Sequence, residues 1–572
     1  MSSRRLATET VAEAFLALLA DRGVDYLFAN AGTDFPPIIE AFAAMSAKGM
    51  KAPRPVTVPH ENLAVAMAHG HTMVSGRPQA VMVHVNVGSA NAICGALNAS
   101  RDQMPMLLAA GRTPLTEAGL PGSRSRHIHW AQEMFDQAAM LREVVKWDYE
   151  LRNAEQVETV VDRALDIALS DPQGVSYLTL PREVLAAAHP GLDRRHGGRS
   201  VPATRPAPDP DAVARTATLL AAAERPLLIT SGLGRDPAAV VALAELAEAA
   251  ALPVVAHAGR YVALPSGHEM NFGGTPGHLL AEADLVLVVD CDVPWIASGE
   301  GPPAEAKIVH MGLDPLYQRY PVRSFPADLV IAGDSAAGLR LLGEAFANHA
   351  AAQRTRIDCR RDRLSALHEA RAAARARQLQ EVRHQQPMHF AWVSHCIDRV
   401  KDDDAIVVNE LALSTDHIDF GRPGTFFGPS AVGGLGWGLG AALGAKLAAP
   451  ERQVIACVGD GSYMFGNPTP AHFVAQAQAL PVLFVVFNNA GWSAVLNATR
   501  AMYPDGHAMR SNQPPLTALS PSPAFERVVE ASGGFGVRVD DPARLEPELK
   551  RALQVVREEG RQALVNVVCR PR

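Results

Sequence analysis

The chain has 572 residues, of which 48% are hydrophobic and 20% are charged, a composition typical of a globular protein in water. That length is too great for one hydrophobic core, so roughly three or four domains of about 100–200 residues each are expected. The net charge of −7 gives no electrostatic reason to expect a nucleic acid or an anionic membrane as a partner.

The N-terminus, MSSRRLATETVAEAFLALLADRG, places arginines before apolar residues, as a secretory signal peptide does. Glu9, Glu13 and Asp21 interrupt the apolar stretch and no small-residue cleavage site follows, so we predict an amphipathic helix that starts near Thr8. No uninterrupted apolar run approaches the roughly 20 residues that cross a bilayer. The six cysteines are scattered without a C-x-x-C pair, which favours reduced, buried thiols. We therefore expect a cytoplasmic protein with no membrane partner.

Short apolar or β-branched runs alternate with helical patterns along the chain. This alternation predicts parallel sheets with helices on both faces, the doubly wound α/β class. In chain order, strands are predicted at residues 24–28, 56–58, 80–85, 106–110, 227–230, 285–289, 454–458 and 482–487.

Two stretches interrupt the alternation. Residues 189–210 are rich in Pro, Gly and Arg and are typical of a linker. Residues 345–386 are rich in Ala, Arg and Gln, which predicts a charged connecting helix with loop flanks. We therefore expect three doubly wound parallel-sheet domains, and the first and third can share a fold without visible sequence similarity. Their predicted ranges are 1–188, 208–345 and 380–572.

Two strand-to-helix junctions in the first segment carry polar residues. In PHENLAVAMAHGHTMVSGRP, Glu61 opens a helix of small residues, where the positive end of the helix dipole favours a carboxylate for structural reasons alone. In VNVGSANAICGALNASRD, Asn91 is either a functional residue or a structural cap at the start of the next helix.

The third segment carries a sharper pattern. The predicted strand 454–458 runs into Gly459-Asp460-Gly461-Ser462, and the next strand ends in Asn488-Asn489-Ala490-Gly491. Ligands of parallel sheets lie at the carboxyl ends of strands, and glycines let the backbone approach a phosphate closely. One carboxylate and one amide oxygen suit Mg²⁺. The 29 residues from Asp460 to Asn489 leave room for one crossover helix.

The sequence G-D-G-S followed about thirty residues later by N-N resembles the thiamine diphosphate (ThDP) motif of the acetolactate synthase, benzoylformate decarboxylase and pyruvate decarboxylase superfamily. The resemblance implies ThDP and Mg²⁺ as cofactors. It also implies that the metal ligands are the Asp460 carboxylate, the Asn489 side chain and the Gly491 carbonyl, with Asn488 as the alternative to Asn489. The extra residues GNPTP (466–470) predict a bulge between the two motifs. The cofactor-binding residues expected in the first motif are Gly459, Gly461 and Ser462.

The resemblance extends over nearly the whole chain, as a pyrimidine-binding, a central Rossmann-like and a diphosphate-binding domain. It implies that Glu61 protonates the cofactor pyrimidine ring of a neighbouring subunit, so self-association into at least a dimer, with a tetramer favoured, is expected. In SAVGGLGWGLGAALG (430–444), it implies that Gly433 accepts a bond from the cofactor amino group and that Leu435 props the bent cofactor. Glu410 in VVNELALST (407–415) matches the segment that contacts the diphosphate.

Residues expected on the substrate side also follow from the resemblance. His84 matches an active-site histidine of benzoylformate decarboxylase, and a histidine as a residue type suits a proton shuttle. Thr33 in NAGTD stands where that enzyme has a serine that touches the substrate carboxylate. An apolar substrate pocket is expected after the metal motif, formed by Trp492, Val495 and Leu496.

Three functions remain open from the sequence. The favoured one is a benzoylformate decarboxylase-like 2-oxo acid decarboxylase, which releases CO₂ and an aldehyde. An acetolactate synthase-like or aldehyde-lyase-like carboligase is the alternative, and a non-catalytic ThDP-binding scaffold is a third that the intact Glu61, Asp460 and Asn489 disfavour. The sequence SGLG (231–234) is a weak dinucleotide signal without a G-x-G-x-x-G pattern, so FAD is not predicted.

Overall fold

The fold is that of a computed structural model, which describes residues 8–189, 191, 201–299, 301–511 and 513–571. Within those residues every strand pairing inside the three sheets is parallel. The expected class, three parallel-sheet α/β domains, is therefore confirmed. The exact domain boundaries stay a prediction.

The first sheet has six strands in the order β2-β1-β3-β4-β6-β5. Its strands are β1 (Tyr26–Ala29), β2 (Arg54–Thr57), β3 (Gln79–Val83), β4 (Met106–Arg112), β5 (Trp147–Glu150) and β6 (Val175–Pro181). Its helices are α1 (Val11–Asp21), α2 (Pro36–Ala47), α3 (Glu61–Ser75), α4 (Val85–Arg101), α5 (Ile128–Ala131), α6 (Ala139–Arg142), α7 (Val157–Leu169) and α8 (Arg182–Ala186).

The central sheet has five strands in the order β11-β10-β9-β7-β8 and its own apolar core. Its strands are β7 (Pro226–Thr230), β8 (Val254–Ala256), β9 (Leu285–Val289), β10 (Lys307–Gly312) and β11 (Leu329–Ala332). The helices around it are α9 (Pro210–Ala222), α10 (Pro237–Ala250), α11 (Gly277–Ala281), α12 (Ser335–Ala350) and α13 (Arg354–Val382).

The third sheet has six strands in the order β13-β12-β14-β15-β17-β16. Its strands are β12 (Ile406–Glu410), β13 (Phe426–Phe427), β14 (Val454–Gly459), β15 (Leu483–Asn488), β16 (Phe535–Val539) and β17 (Ala563–Val568). Its helices are α14 (Phe390–Asp398), α15 (Trp437–Ala448), α16 (Asp460–Phe465), α17 (Pro468–Ala477), α18 (Ser493–Met502), α19 (His507–Arg510), α20 (Phe525–Glu530) and α21 (Pro542–Glu558).

The first and third sheets have one topology, because β12 to β17 repeat the order of β1 to β6. The start of α3, at Glu61, therefore corresponds to the start of α15, and the end of β3 corresponds to the end of β14. The sequence analysis allowed a shared fold, and the strand order confirms it.

The first and third domains share one apolar core, in which α3 packs against α15. Glycines permit the close approach of these helices. A Cβ on Gly444 would lie 1.9 Å from the Met67 carbonyl oxygen, and one on Gly70 would lie 2.1 Å from that of Ala441. This packing holds the carboxyl edges of the two homologous sheets in a fixed relation.

Several local predictions need correction. Thr10, not Thr8, caps α1, since its side chain accepts the Glu13 N–H. The charged stretch 345–386 contains the end of α12 as well as α13. Residues 190 and 192–200 of the expected linker lie outside the described residues.

All six cysteines are free, but Cys94 and Cys359 are exposed. Among the described helices, none combines the length and apolar character needed to cross a membrane.

Candidate active site

Glu61 lies at the carboxyl edge of the first sheet, as the first residue of α3. Its side chain is buried, and each oxygen accepts one amide N–H, from Asn30 at 2.9 Å and from Asn91 at 3.1 Å. Asn30 follows β1 directly, so two different elements fix the carboxylate. A carboxylate oxygen has more than one lone pair, so Glu61 keeps acceptor capacity for a further group.

Asn91 does not cap a helix start, which corrects one of its two predicted roles. The helix α4 begins at Val85 with His84 at the N-cap position, so Asn91 lies inside it. A Cβ on Gly88, one turn earlier, would lie 3.3 Å from Glu61 Oε1. Asn91 on α4 thus orients the Glu61 carboxylate, and Gly88 on the same helix leaves room for it.

His84 follows β3 directly, because the strand ends at Val83 and not at residue 85 as predicted, and its Nδ1 lies 2.5 Å from the Oδ1 of buried Asp34. The other Asp34 oxygen accepts the Val85 N–H at 3.3 Å. Two glycines leave space for this pair. A Cβ on Gly32 would lie 2.2 Å from His84 Nδ1, and one on Gly111 would lie 1.8 Å from Asp34 Oδ2.

Thr33 is half-buried next to this pair. Its Oγ1 lies 3.5 Å from Nε2 of the buried His129, and its carbonyl accepts an Arg182 N–H at 3.0 Å. Arg182 also donates to the carbonyls of Gly122 and Ser123. It therefore ties the loop that carries His129 to the end of β1.

The corresponding edge of the third sheet carries Asp460, which is the first residue of α16. The segment Asp460–Phe465 is helical, so Gly-Asp-Gly-Ser is not merely a turn. The connection to β15 contains two helices, α16 and α17, instead of the one expected. They are separated at Gly466 and at Asn467, whose φ is +51°, so a helix break stands where a bulge was predicted.

The Asp460 side chain fits a metal ligand. It is buried, and its Oδ2 has no hydrogen-bond partner among the described residues. Oδ1 accepts the Gly461 N–H at 3.0 Å. Burial raises the pKa of this carboxyl, because the charged form loses hydration. A cation at Oδ2 would supply the missing partner and favour the charged form.

The two asparagines that follow have different surroundings. The Asn488 amide donates to Ser522 and Asn566, and its oxygen accepts the Ala490 N–H. The Asn489 oxygen accepts the Gly491 N–H at 3.0 Å, and its amide donates to Ser493 at 2.8 Å. Asn488 is buried, whereas Asn489 is half-buried, and this difference favours Asn489 as the ligand.

The loop before α15 has two glycines with positive φ, +67° at Gly433 and +86° at Gly436. Glu410, at the end of β12, accepts the backbone N–H groups of Gly436 and Gly438, each at 2.7 Å. Burial raises the pKa of Glu410 to about 7, against the opposing effect of these donors. Glu410 holds this loop in place, and its predicted contact with a diphosphate stays a prediction. Leu435 is half-buried in the loop.

The three residues predicted to form the substrate pocket differ in their burial. The Trp492 ring lies over Gly461, where a Cβ would come within 2.2 Å of it, and it makes an edge contact with Phe465. Val495 is exposed, Leu496 is half-buried, and no residue of α18 is buried within the chain. Trp492 therefore covers the metal motif, while α18 leaves its apolar side chains uncovered.

One face of α4 contacts both the first and the third domain. Asn91 contacts Glu61, and Asn98, two turns later, pairs with both backbone groups of Gly434 at 2.8 and 3.2 Å. Two turns correspond to about 10 Å. The glutamate and the glycine loop are therefore held on one rigid helix.

The sequence analysis missed five residues that shape this site. A usable signal existed for Asn30 and Asp34, because polar residues in the loop after a strand lie at the ligand edge of a sheet. No local pattern marks the others, since their contacts join distant segments. The missed residues are Asn30, Asp34, Asn98, His129 and Gln132.

Comparison with known proteins places all three domains. Models of the N-terminal, central and C-terminal domains of thiamine pyrophosphate enzymes match residues 9–140, 213–342 and 411–567. A benzoylformate decarboxylase of Pseudomonas aeruginosa is 28% identical, over 85% of this chain and 87% of its own length. A probable acetolactate synthase of Mycobacterium bovis is 28% identical, over 90% and 88%. The solved 4-hydroxybenzoylformate decarboxylase of Rhodococcus jostii has the same fold, with a TM-score of 0.77, 23% identity and coverage of 98% and 99%.

Proposed function

The chain belongs to the thiamine pyrophosphate enzyme family, and on that premise we propose that it decarboxylates a 2-oxo acid with ThDP (another name for thiamine pyrophosphate) and Mg²⁺ as cofactors. The bond between the carboxyl and keto carbons breaks and CO₂ leaves. A proton then takes the place of the carboxylate on the former keto carbon, which gives an aldehyde. An enzyme of the decarboxylase or acetolactate synthase type is already established by the family, so the proposal concerns the reaction and the metal.

Three groups would hold the metal and the diphosphate end of the cofactor. The free Oδ2 of Asp460, the Asn489 side-chain oxygen and the Gly491 carbonyl are hard oxygen donors, which Mg²⁺ prefers. The backbone at Gly459, Gly461 and Ser462 is at the N-terminus of α16, where N–H groups favour an anion. When bound, ThDP supplies the carbon nucleophile and accepts the electron pair released with CO₂.

Glu61 would hold a proton against the pyrimidine ring nitrogen of the cofactor. Its contacts with Asn30 and Asn91 fix the orientation of the carboxyl group. The resemblance to the family implies that this glutamate reaches the cofactor of a neighbouring subunit. We therefore infer a dimer or a dimer of dimers.

The observation that carries the decarboxylase proposal is the pair of His84 and Asp34. The pair lies one helical turn before Gly88, whose position borders Glu61 Oε1. A histidine in this place can deliver the proton that completes an aldehyde. Carboligation does not need that proton, because a second carbonyl compound takes its place. The similarity to an acetolactate synthase keeps carboligation as the second candidate.

Product analysis separates the two reactions. Holoenzyme is incubated with pyruvate, benzoylformate and small aldehydes, and CO₂ and organic products are quantified. Free aldehyde in an amount equal to the CO₂ is the expected result. A 2-hydroxy ketone or an acetohydroxy acid as the main product would contradict the decarboxylase proposal and support the carboligase. The matched control is Glu61→Gln holoenzyme, which should form neither product.

A further inference from the structure

We propose that Asp34 and the Ser125 backbone hold His84 and His129 in opposite tautomers, which makes His84 Nε2 the nitrogen that takes up a proton before delivering it and makes the Thr33 hydroxyl a fixed donor. Asp34 and His129 are then positioning residues for the groups that touch the substrate. The inference rests on the proposed function for the identity of that substrate, a 2-oxo acid.

The tautomer of His84 follows from its neighbour. The Asp34 carboxylate accepts and cannot donate, so Nδ1 of His84, 2.5 Å away, carries the hydrogen. In the neutral ring the proton acceptor is therefore Nε2. The Val85 N–H fixes the second oxygen of Asp34, and the absence of a side chain at Gly32 and at Gly111 allows the two residues to lie in contact.

The tautomer of His129 is the reverse. The Ser125 backbone N–H, which can only donate, points at Nδ1 at 3.1 Å, so Nδ1 has no hydrogen. In the neutral ring the hydrogen is on Nε2, which lies 3.5 Å from Thr33 Oγ1. Burial lowers the pKa of His129, and Arg182 adds to this effect, so the neutral ring is favoured.

The tautomer of His129 determines whether the Thr33 hydroxyl donates or accepts a hydrogen bond. Its oxygen accepts from His129, so its own O–H is free to donate to another group. A substrate carboxylate or keto oxygen is such an acceptor. The site would therefore favour substrates that place an acceptor oxygen at Thr33 and the reacting carbon near His84 Nε2.

Other groups around His84 agree with this assignment. Gln132 Nε2 lies 3.4 Å from His84 Nε2, a distance at which the amide N–H can donate to an unprotonated ring nitrogen. The charged and titratable groups that face the two histidines are Asp34, Arg182, Arg124 and Arg126. Each of the three guanidinium nitrogens of Arg182 donates to a backbone carbonyl, and one donates to Ser125 as well, so Arg182 is held in place and contributes its charge.

The direct test is the ¹⁵N NMR spectrum of the full-length protein with labelled histidine rings, recorded without substrate. We expect His84 to be protonated on Nδ1 and His129 on Nε2. Asp34→Asn should move the hydrogen of His84 to Nε2, as an amide donor now faces Nδ1. Asp211→Asn, an exposed change, should leave both signals in place. His84 protonated on Nε2 in the unaltered protein would overturn the proposal.

Kinetics separate the two positioning residues. Asp34→Asn should lower kcat about 10²–10⁴-fold with a small change in KM, because His84 Nε2 can no longer take up the proton that it delivers. His129→Leu should raise KM about tenfold, whereas His129→Gln, which retains one donor and one acceptor, should restore it. In a Thr33→Val background, His129→Leu should change KM no further. An equal additional rise there would show that His129 acts independently of Thr33 and would overturn its assigned role.

The two proposals can fail separately. If the unaltered holoenzyme releases no CO₂ from any 2-oxo acid, the proposed function fails, while the NMR assignment still decides the tautomers. If CO₂ is released but the tautomers are equal or reversed, only the positioning proposal fails.

Discussion

Glu410 accepts the backbone N–H of Gly436 at 2.7 Å, and this contact joins the end of β12 to the start of α15. The first sheet has the same arrangement, since Asn30 at the end of β1 donates to Glu61 at the start of α3. The two sheets share a topology, but the carboxylate at this strand-to-helix junction lies on a different element in each. In the first sheet the carboxylate is on the helix and is directed towards the site. In the third it is on the strand, and each of its oxygens accepts a backbone N–H.

The loss of the Glu61 carboxylate should stop the reaction without unfolding the protein. We expect Glu61→Gln to lower turnover by a factor of about 10²–10⁴ or more, because an amide cannot exchange the proton with the pyrimidine ring. Turnover, ThDP uptake and the thermal midpoint are measured together. The control is Glu40→Gln, an exposed glutamate of α2, which should behave as the unaltered protein. Full activity of Glu61→Gln would remove Glu61 from the mechanism.

Asp460→Ala should remove Mg²⁺-dependent binding of ThDP, because the free Oδ2 that faces the metal site disappears. The binding of ThDP is titrated with and without Mg²⁺ in the unaltered protein, in Asp460→Ala and in the exposed control Asp505→Ala. An affinity for ThDP that is unchanged in Asp460→Ala would argue against the metal site.

His84→Ala should slow the release of aldehyde more than the loss of CO₂, because only the later step needs the proton. CO₂ and aldehyde are followed in the same single-turnover reaction. His127→Ala, an exposed histidine in the loop that carries His129, is the control. Equal slowing of the two steps would mean that His84 does not deliver this proton.

The interface between α3 and α15 should not tolerate a methyl group. Gly444→Ala places a Cβ 1.9 Å from the Met67 carbonyl oxygen, so we expect a loss of stability of about 1–3 kcal/mol or more. Gly343→Ala in α12, where a Cβ meets nothing within 4 Å, should be neutral or stabilising by up to about 1 kcal/mol. Urea denaturation midpoints compare the two. Equal effects would mean that the close approach of the helices does not limit the fold.

Glu410 should make the stability of the cofactor-free protein depend on pH. Burial raises its pKa to about 7 from 4.5, so the folded protein binds this proton more tightly than the unfolded chain. The resulting stabilisation is complete below pH 4.5 and is lost as pH rises through about 7. Relative to Glu410→Gln, which does not titrate, the unaltered protein should lose up to about 3 kcal/mol across that window. Parallel denaturation curves for both proteins over this range would contradict the prediction.

The sequence by itself determined the elements that lie close together in the chain. The strands before Asp460, Asn489 and His84 were predicted to within a few residues, because short apolar runs and the glycines after them report on local structure. The family was also recognisable, since both cofactor motifs are contiguous. The family models confirm it.

Only the tertiary structure decided which of those residues meet. Asp34 and His84 are 50 positions apart, and Asn30 and Glu61 are 31 apart, so each contact depends on the order of strands in the sheet. No periodicity in the sequence encodes that order. The role of Asn91 was undecided for the same reason, since a helix start and a partner across the sheet edge demand the same residue type. Strand order and helix packing fix the positions of these side chains in space.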